Sequence, residues 1–293
     1  MRNRRTAAWC LGAVAALSLF AAAGCSLLRT GAGERIPYGP EPSEFGELTL
    51  PHREGGGKLP VVVMVHGGCW LRLFSLGMMD GLVADMQLQG FAVWNVEYRG
   101  LGETGGGYPG TYLDVGHAVD ALRSIARRYP LDLTKVVVVG HSAGGHLALW
   151  AAARARLPTD SPLAMFQPLP IAGVVSLAGV NDLQAYRESG PIWCGGPSTI
   201  DQMTGAKERG GQNVYADTSP AALLPMGVPQ IIAFGELDSI VSSSLDRAYA
   251  SAAAAYGDRV ETVDLPYAGH FDLIDPSSTA WQQVRQKILT LLR

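Results

Sequence analysis

Short apolar runs are spaced regularly along most of the chain. Nearly continuous runs, typical of strands covered on both faces, occur at residues 61–65, 91–96, 136–139, 171–177 and 230–234, and a last strand is predicted near 261–265. Each run is too short for a helix of ordinary length. The pattern therefore predicts a sheet whose strands are buried from both sides.

Segments of helical periodicity lie between these runs. The spacing of apolar residues predicts amphipathic helices at residues 78–89, 112–129, 144–156, 243–256 and 276–292. In the last of these, Asp275 is expected to cap the helix and Pro276 to be its first residue. Because strand and helix alternate, we expect a single doubly wound α/β domain, with a mostly parallel sheet and helices on both faces.

One stretch departs from this pattern. Residues 183–226 are rich in Gly, Pro and Ser and contain no strand-like run. Long non-periodic insertions in compact domains are commonly lids or binding loops. We therefore expect a lid-like insertion within one α/β domain that covers residues 47–293.

The first residues combine a basic start with an uncharged apolar run. Three arginines within the first five residues precede the apolar residues 7–23, and the run closes with Ala22-Ala23-Gly24-Cys25. This arrangement is typical of a secretory signal. A membrane anchor is the alternative, but the run is shorter than the about 20 residues that a membrane-spanning helix needs.

The tetrapeptide that ends at Cys25 resembles the lipobox of bacterial lipoproteins, in which this cysteine carries the lipid. The resemblance implies a signal peptide over residues 1–24 and a lipidated Cys25. Residues 25–46 are rich in Gly and Pro and predict a flexible tether. We expect an exported protein of the bacterial cell envelope that meets the membrane only through the lipid at Cys25.

Composition and charge narrow the function classes. The chain of 293 residues is 47% hydrophobic and has a formal net charge of −3, and loss of the arginine-rich signal would make it more acidic. No run of Lys or Arg follows residue 5. Nucleic-acid binding requires clustered positive charge, so that class is excluded.

The segment Gly140-His141-Ser142-Ala143-Gly144 carries the strongest indication of chemistry. It follows an apolar strand and opens an amphipathic helix, which is the strand–turn–helix setting of a nucleophile elbow. The glycines let strand and helix approach closely, while the turn lifts the Ser142 hydroxyl above the sheet. The Ala143 amide then lies at a helix N-terminus, where it can donate to a developing oxyanion. Ser142 is therefore the predicted nucleophile.

A serine hydroxyl needs a base that a third group orients. Asp238 follows the penultimate predicted strand and His270 follows the last one, so the chain order is serine, acid, histidine. His270 is predicted to take the Ser142 proton, and Asp238 to hold the imidazole in the correct tautomer. Glu236 and Asp182 also follow strand ends and remain alternatives for the acid, with Asp182 better placed to cap a turn or a helix.

The loop after the first of the apolar runs reads His66-Gly67-Gly68-Cys69-Trp70. Adjacent glycines let backbone amides turn toward a substrate carbonyl without obstruction by side chains. His66 is expected to brace this loop through its ring nitrogens. The predicted oxyanion hole consists of Gly67, Gly68, Cys69 and Ala143.

Aromatic residues near these loops are candidates for the walls of a substrate pocket. Trp70 and Trp193 are the predicted substrate contacts, and Tyr108 and Phe271 are further candidates. A packing role is the alternative for each of them. The histidines show no metal-ligand spacing such as His-Glu-x-x-His. We predict no catalytic metal and no cofactor.

Cys69 and Cys194 remain in the predicted mature chain beside Cys25. Two buried thiols are the favoured interpretation, because a chain of this length does not need a disulfide to fold. A disulfide is the alternative in an oxidising compartment, and it would staple the insertion to the 66–70 loop.

Together these motifs resemble the α/β-hydrolase superfamily, and within it the branch that combines His-Gly-Gly with Gly-x-Ser-x-Gly. This branch contains hormone-sensitive-lipase-like, feruloyl- and acetyl-esterase-like and kynurenine-formamidase-like enzymes. The resemblance rests on residues 66–70 and 140–148 and runs from about residue 47 to the end of the chain. It implies a catalytic triad of Ser142, Asp238 and His270, with oxyanion donors at Gly68, Cys69 and Ala143.

Some positions depart from these families. Hormone-sensitive-lipase-like enzymes usually have a third glycine at the position of Cys69 and an acidic residue at that of His141. Kynurenine formamidases usually carry another residue, often aromatic, at the Cys69 position and alanine at that of Gly145, and they act in the cytosol. The departures favour a carboxylesterase.

We therefore expect a serine hydrolase that cleaves small-molecule short-chain or aryl esters through an acyl-enzyme. Amide, formamide, thioester or peptide hydrolysis on the same residues is the alternative reaction. A non-catalytic binding protein of this fold is a further alternative, although such proteins commonly lose the serine or the histidine, and this chain has both.

Overall fold

Eight strands form one sheet in the computed structural model, which describes residues 33–52 and 56–292. The strands are β1 Glu34–Pro37, β2 Phe45–Thr49, β3 Leu59–Val65, β4 Ala92–Val96, β5 Leu131–His141, β6 Gly173–Leu177, β7 Gln230–Gly235 and β8 Val260–Leu265. Their order in the sheet is β1-β2-β4-β3-β5-β6-β7-β8. β2 pairs antiparallel with β1 and β4, and the other neighbours are parallel. The predicted mostly parallel sheet is confirmed.

Helices connect the strands. The α-helices are α1 Asp80–Leu88, α2 Gly110–Asp120, α3 Leu122–Ile125, α4 Ala143–Ala152, α5 Leu183–Ser189, α6 Gly196–Thr204, α7 Ser243–Ala255 and α8 Thr279–Leu291. Short 3-10 helices lie at Leu76–Met79, Arg154–Arg156, Ile192–Cys194, Pro220–Leu223 and Asp272–Ile274. Within the described residues, none of the helices is long and apolar enough to cross a membrane.

The sheet is covered on both faces because its central strands are apolar on both sides. In β3, Val61 and Val63 pack into a core that includes residues of α2, α4 and α7. The intervening Val62 and Met64 pack into a second core with residues of α1 and α8. This two-sided burial explains why the strands read as continuous apolar runs rather than as an alternating pattern.

β1 falls within residues 25–46, whose composition predicts a flexible tether. It pairs antiparallel with β2, Glu34 opposite Leu48 and Pro37 opposite Phe45. The tether prediction is therefore wrong for this part, because the Gly and Pro residues turn the chain between the edge strand β1 and its neighbour β2. The predicted signal peptide, Cys25 and the start of the predicted tether lie outside the described residues.

The last helix begins at Thr279 rather than at Pro276. The Ser278 hydroxyl accepts a hydrogen bond from the Trp281 amide at 2.9 Å and caps the helix. The Asp275 carboxylate instead accepts the Ser277 amide at 2.8 Å in the preceding turn. The predicted cap at Asp275 is wrong, because the local turn satisfies that carboxylate before the helix starts.

The insertion at residues 183–226 is helical and packed against the domain. It contains α5 and α6, and Ile200, Met203 and Leu223 lie in the same core as α2 and α4. Asp182 accepts the Gln184 amide at 2.9 Å and so caps α5. The two α-helices of the insertion are short, seven and nine residues, and these apolar side chains anchor it to the domain.

The topology brings the predicted site residues to one edge of the sheet. Strands β3, β5, β6, β7 and β8 are parallel, so their carboxyl ends face the same way. Ser142 follows β5, Asp238 follows β7 and His270 follows β8. The 66–70 loop follows β3, directly beside β5. Ligand sites of open α/β sheets form at this edge.

Candidate active site

Ser142 lies in the sharp turn between β5 and α4. Its backbone angles, φ 56° and ψ −121°, are ones that residues with a side chain rarely adopt. The Ser142 amide donates to the Leu177 carbonyl at 2.9 Å, and the Val180 amide donates to the Ser142 carbonyl at 3.3 Å. These two hydrogen bonds from the end of β6 and the loop after it hold the strained turn.

Two glycines make the turn possible. A Cβ atom on Gly140 would collide with the carbonyl oxygen of Gly144, and one on Gly144 would collide with the carbonyl oxygen of Val65. Strand β5, helix α4 and strand β3 therefore approach more closely than side chains permit. The approach places the Ser142 side chain next to the 66–70 loop.

Asp238 and His270 form a buried pair. Asp238 Oδ2 accepts a hydrogen bond from His270 Nδ1 at 2.7 Å, and the side chains are 0% and 5% exposed. The other oxygen, Oδ1, accepts the amides of Ile240 at 2.7 Å and Val241 at 3.0 Å. Both carboxylate oxygens are thus satisfied, and the Nδ1 hydrogen leaves Nε2 of His270 free to act as a base.

The competing acids lie elsewhere. Glu236 pairs with Arg247 on the surface, and Asp182 caps α5. Neither contacts His270 within the described contacts, so the structure brings only Asp238 to the imidazole.

Ser142 and His270 line one small cavity of about 50 Å³. Among the described residues, no hydrogen bond joins Ser142 Oγ to His270. Such bonds in active sites commonly tighten only when substrate is bound. The cavity walls are mainly apolar, and its lining residues are Gly68, Cys69, Phe74, Met78, His141, Ser142, Ile240, His270 and Phe271. Phe74 and Ile240 lie in loops, where sequence periodicity gives no signal for them, and Met78 lies in the 3-10 helix that precedes α1.

The 66–70 loop packs against the serine turn. A Cβ atom on Gly67 would lie 2.8 Å from the His141 carbonyl oxygen and 3.1 Å from Ser142 Cβ. Gly68 and Cys69 line the cavity itself. Ala143 is the first residue of α4, so its amide has no partner within the helix. The structure therefore brings all four predicted oxyanion residues to the serine.

His66 braces this loop from below, as the sequence predicts. Its Nε2 lies 2.8 Å from Glu97 Oε1 and its Nδ1 lies 2.8 Å from the Gly67 carbonyl oxygen. Tyr98 stacks on the imidazole, with ring centroids 4.2 Å apart, and donates its hydroxyl to the His66 carbonyl. The role of Glu97 has no motif in the sequence and emerges only from the packing of β3 against β4.

Trp70 does not line the cavity. It is 1% exposed, and its Nε1 donates to Nδ1 of His146 at 3.1 Å. His146 Nε2 in turn donates to the Thr218 carbonyl at 2.8 Å, and burial lowers the pKa of His146 to about 4. The expected substrate contact is thus wrong for Trp70, because core packing and this neutral histidine hold its ring. Trp193 lies in the 3-10 helix Ile192–Cys194, and its contact with substrate stays a prediction.

His141 packs against His270, with ring centroids 4.5 Å apart. Its Nε2 donates to the His270 carbonyl at 3.0 Å, and no partner for Nδ1 is found in the described part of the chain. Burial first, and the neighbouring His270 second, lower the pKa of His141 to about 3. His141 is therefore neutral at physiological pH and connects the serine turn to the backbone of His270.

Cys69 and Cys194 form a disulfide, with Cα atoms 5.5 Å apart. The favoured interpretation of two separate thiols is therefore wrong, and the alternative is what the structure shows. The bond joins the 66–70 loop to the insertion across 125 residues of chain.

Among the residues that the structure describes, no group of three or more His, Cys, Asp or Glu side chains is arranged to hold a metal ion. Three histidines at or near the site form side-chain hydrogen bonds: His270 with Asp238, His66 with Glu97 and His146 with Trp70.

The strand order and the serine turn after β5 define the class: this is an α/β-hydrolase fold. Esterase B of Lactobacillus rhamnosis has the same fold, with a TM-score of 0.73 and 19% identity over 88% of this chain and 84% of that chain. The BD-FAE family model matches residues 47–251, and the chain belongs to the BD-FAE family.

Two curated esterases of Mycobacterium tuberculosis are also similar. Esterase LipC is 24% identical over 250 residues, which are 84% of this chain and 61% of LipC. Esterase LipQ is 26% identical over 243 residues, which are 81% of this chain and 57% of LipQ. The chain spans less than two thirds of the length of either relative.

Proposed function

We propose that this chain is a serine hydrolase that cleaves carboxylic esters with short-chain or aryl acyl groups through an acyl-enzyme. One observation carries the proposal. His270 is hydrogen-bonded to the buried Asp238 and lines the same cavity as Ser142 in its strained turn. Membership of the BD-FAE family and the similarity to curated esterases support it.

In the first half-reaction, His270 Nε2 takes the Ser142 proton while Oγ bonds to the ester carbonyl carbon. His270 then gives this proton to the departing alcohol oxygen, and the acyl group stays on Ser142. In the second half-reaction a water molecule loses a proton to His270 while its oxygen bonds to the acyl carbon, and His270 then returns this proton to Ser142 Oγ as the acid leaves. Asp238 holds the imidazole and stabilises the imidazolium in both steps.

Backbone amides are proposed to stabilise the negative oxygen of the tetrahedral intermediate. The Ala143 amide opens α4, where the helix dipole places partial positive charge. The amides of Gly68 and Cys69 approach from the other side of the cavity, and Gly67 shapes the turn between them and the serine. This scheme uses a hydroxyl, an imidazole, a carboxylate and amides, so it requires no cofactor.

The size of the cavity supports a short acyl group. Its volume is about 50 Å³, and its walls are mainly apolar. Phe74 and Phe271 line it and are 37% and 58% exposed, so an apolar or aryl leaving group can lie against their outer faces.

Export is part of the proposal. The sequence of residues 1–24 and the lipobox-like Cys25 support a lipid-anchored protein of the bacterial cell envelope. The Cys69–Cys194 disulfide supports it independently, because disulfides persist in oxidising compartments and are rare in the cytosol.

Ser142→Ala tests the catalytic proposal with p-nitrophenyl acetate as substrate. Turnover should fall to the uncatalysed background, whereas Ser251→Ala, on the exposed face of α7, should match the unaltered protein. Matching thermal unfolding curves would show that both variants fold. Wild-type turnover by Ser142→Ala would refute the proposal.

A further inference from the structure

Three consecutive residues of the 66–70 loop have a left-handed backbone. The φ angles are 100° at Gly68, 53° at Cys69 and 57° at Trp70. Glycine adopts such angles without cost, but a residue with a Cβ atom does so only when its surroundings enforce it. Cys69 and Trp70 therefore each need a restraint.

The restraint on Trp70 is visible in the core. Its ring is buried and donates to His146, and its carbonyl accepts the Leu101 amide at 2.6 Å. Cys69 makes no such contact of its own: among the described residues, no hydrogen bond of its amide or carbonyl is found. The turn that contains it is closed by the Leu71 amide, which donates to the Gly68 carbonyl at 2.9 Å, and the Cys69 side chain is bonded to Cys194.

Cys194 is itself firmly held. It is buried, its amide donates to the Pro191 carbonyl at 3.2 Å, and its carbonyl accepts the Thr199 hydroxyl at 2.8 Å. Thr199 belongs to α6, whose Ile200 and Met203 lie in the main core. The disulfide thus ties a strained loop residue to a buried part of the insertion.

We propose that the Cys69–Cys194 disulfide does for residue 69 what a glycine would do without a cross-link: it keeps the backbone left-handed, so that the Cys69 amide faces the cavity. Cys194 is then a positioning residue for the oxyanion hole. The inference rests on the proposed function, since it assigns the amide of Cys69 to that hole.

A matched pair of variants isolates this effect. Cys69→Ala/Cys194→Ser and Cys69→Gly/Cys194→Ser both lack the cross-link and differ only in the Cβ atom at residue 69. The alanine pair should lose kcat with little change in KM, because the misplaced amide acts on the transition state. The kcat of the glycine pair should be about fivefold to tenfold higher than that of the alanine pair. This gain is less than the full left-handed penalty, because a glycine without the cross-link is also more mobile.

Reduction and crystallography give two further readouts. A reductant should lower kcat of the unaltered protein toward that of the alanine pair and leave the glycine pair unaffected. In crystal structures, residue 69 should leave the left-handed region in the alanine pair and stay there in the glycine pair. The structural readout does not depend on turnover, so failure of the proposed esterase activity is distinguishable from failure of this inference.

Two results would overturn the inference. One is an alanine pair that keeps wild-type kcat and a left-handed residue 69. The other is equal kcat for the glycine and alanine pairs, which would mean that the cross-link acts through the insertion as a whole rather than through the backbone of residue 69.

Discussion

Replacing Asp238 by asparagine should disable the base while leaving its position intact. Oδ1 of Asp238 accepts the amides of Ile240 and Val241. An asparagine must keep its oxygen at this position, since turning the side chain over would leave two buried amides facing an NH₂ group, at a cost of about 1–3 kcal/mol each. The NH₂ group therefore faces His270 Nδ1.

The consequence for His270 is a change of tautomer. Nδ1 must now accept a hydrogen bond, so the ring hydrogen moves to Nε2, and Nε2 can no longer take the Ser142 proton. In a serine protease, replacing the carboxylate that orients the histidine by an amide lowers kcat by about 10⁴-fold through this change of tautomer. The loss corresponds to roughly 5 kcal/mol of transition-state stabilisation.

Steady-state hydrolysis of p-nitrophenyl acetate measures this loss. Glu236→Gln is the matched control, because Glu236 is a nearby acid that pairs with Arg247 on the surface, and it should keep wild-type kcat. A folded Asp238→Asn protein that retains more than about a tenth of wild-type kcat would refute the reasoning, because the tautomer argument requires a far larger loss.

Three further predictions concern the surroundings of the site. Gly67→Ala would place a methyl group 2.8 Å from the His141 carbonyl oxygen; the displaced loop should lower kcat by about 100-fold, and unchanged kinetics would contradict this packing. Burial lowers the pKa of His146 from 6.5 to about 4. Between these two pH values the unfolded chain binds a proton on His146 that the native state does not bind. The free energy of unfolding should therefore fall on acidification by up to about 1.4 kcal/mol per pH unit. His146→Gln should flatten that fall in urea unfolding at pH 7 and pH 5, and an equally steep fall would contradict the assignment. Burial raises the pKa of Asp246, so the native state keeps a proton that the unfolded state releases above about pH 4; stability should decline as pH rises through this range, and urea unfolding of Asp246→Asn should show no such decline.

The positions of Ser142, Asp238 and His270 at one edge of the sheet were predictable because their signals are local. Gly140 and Gly144 flank the serine in a strand–turn–helix context, and Asp238 and His270 each follow an apolar strand. A parallel sheet then brings the ends of these strands together whatever the loops contain. The assignment of helices to both faces follows in the same way from the two-sided burial of the strands.

Features that depend on contacts between distant segments were not predictable. β1 is a strand only because β2 lies beside it, and its own Gly- and Pro-rich surroundings predict a tether. The Cys69–Cys194 bond needs an insertion whose path has no periodic pattern. Trp70 lies in a loop but is buried against His146 of α4, four positions after Ser142, and no motif encodes that contact.

The measurement that tests the central claim most directly is labelling by a fluorophosphonate, followed by intact-mass and peptide mass spectrometry. The reagent phosphonylates a serine only where a base and an oxyanion hole activate it. We predict one adduct per chain, located on Ser142, and no adduct in Ser142→Ala. Absence of labelling in the folded wild-type protein, or an adduct that persists in Ser142→Ala, would contradict the account.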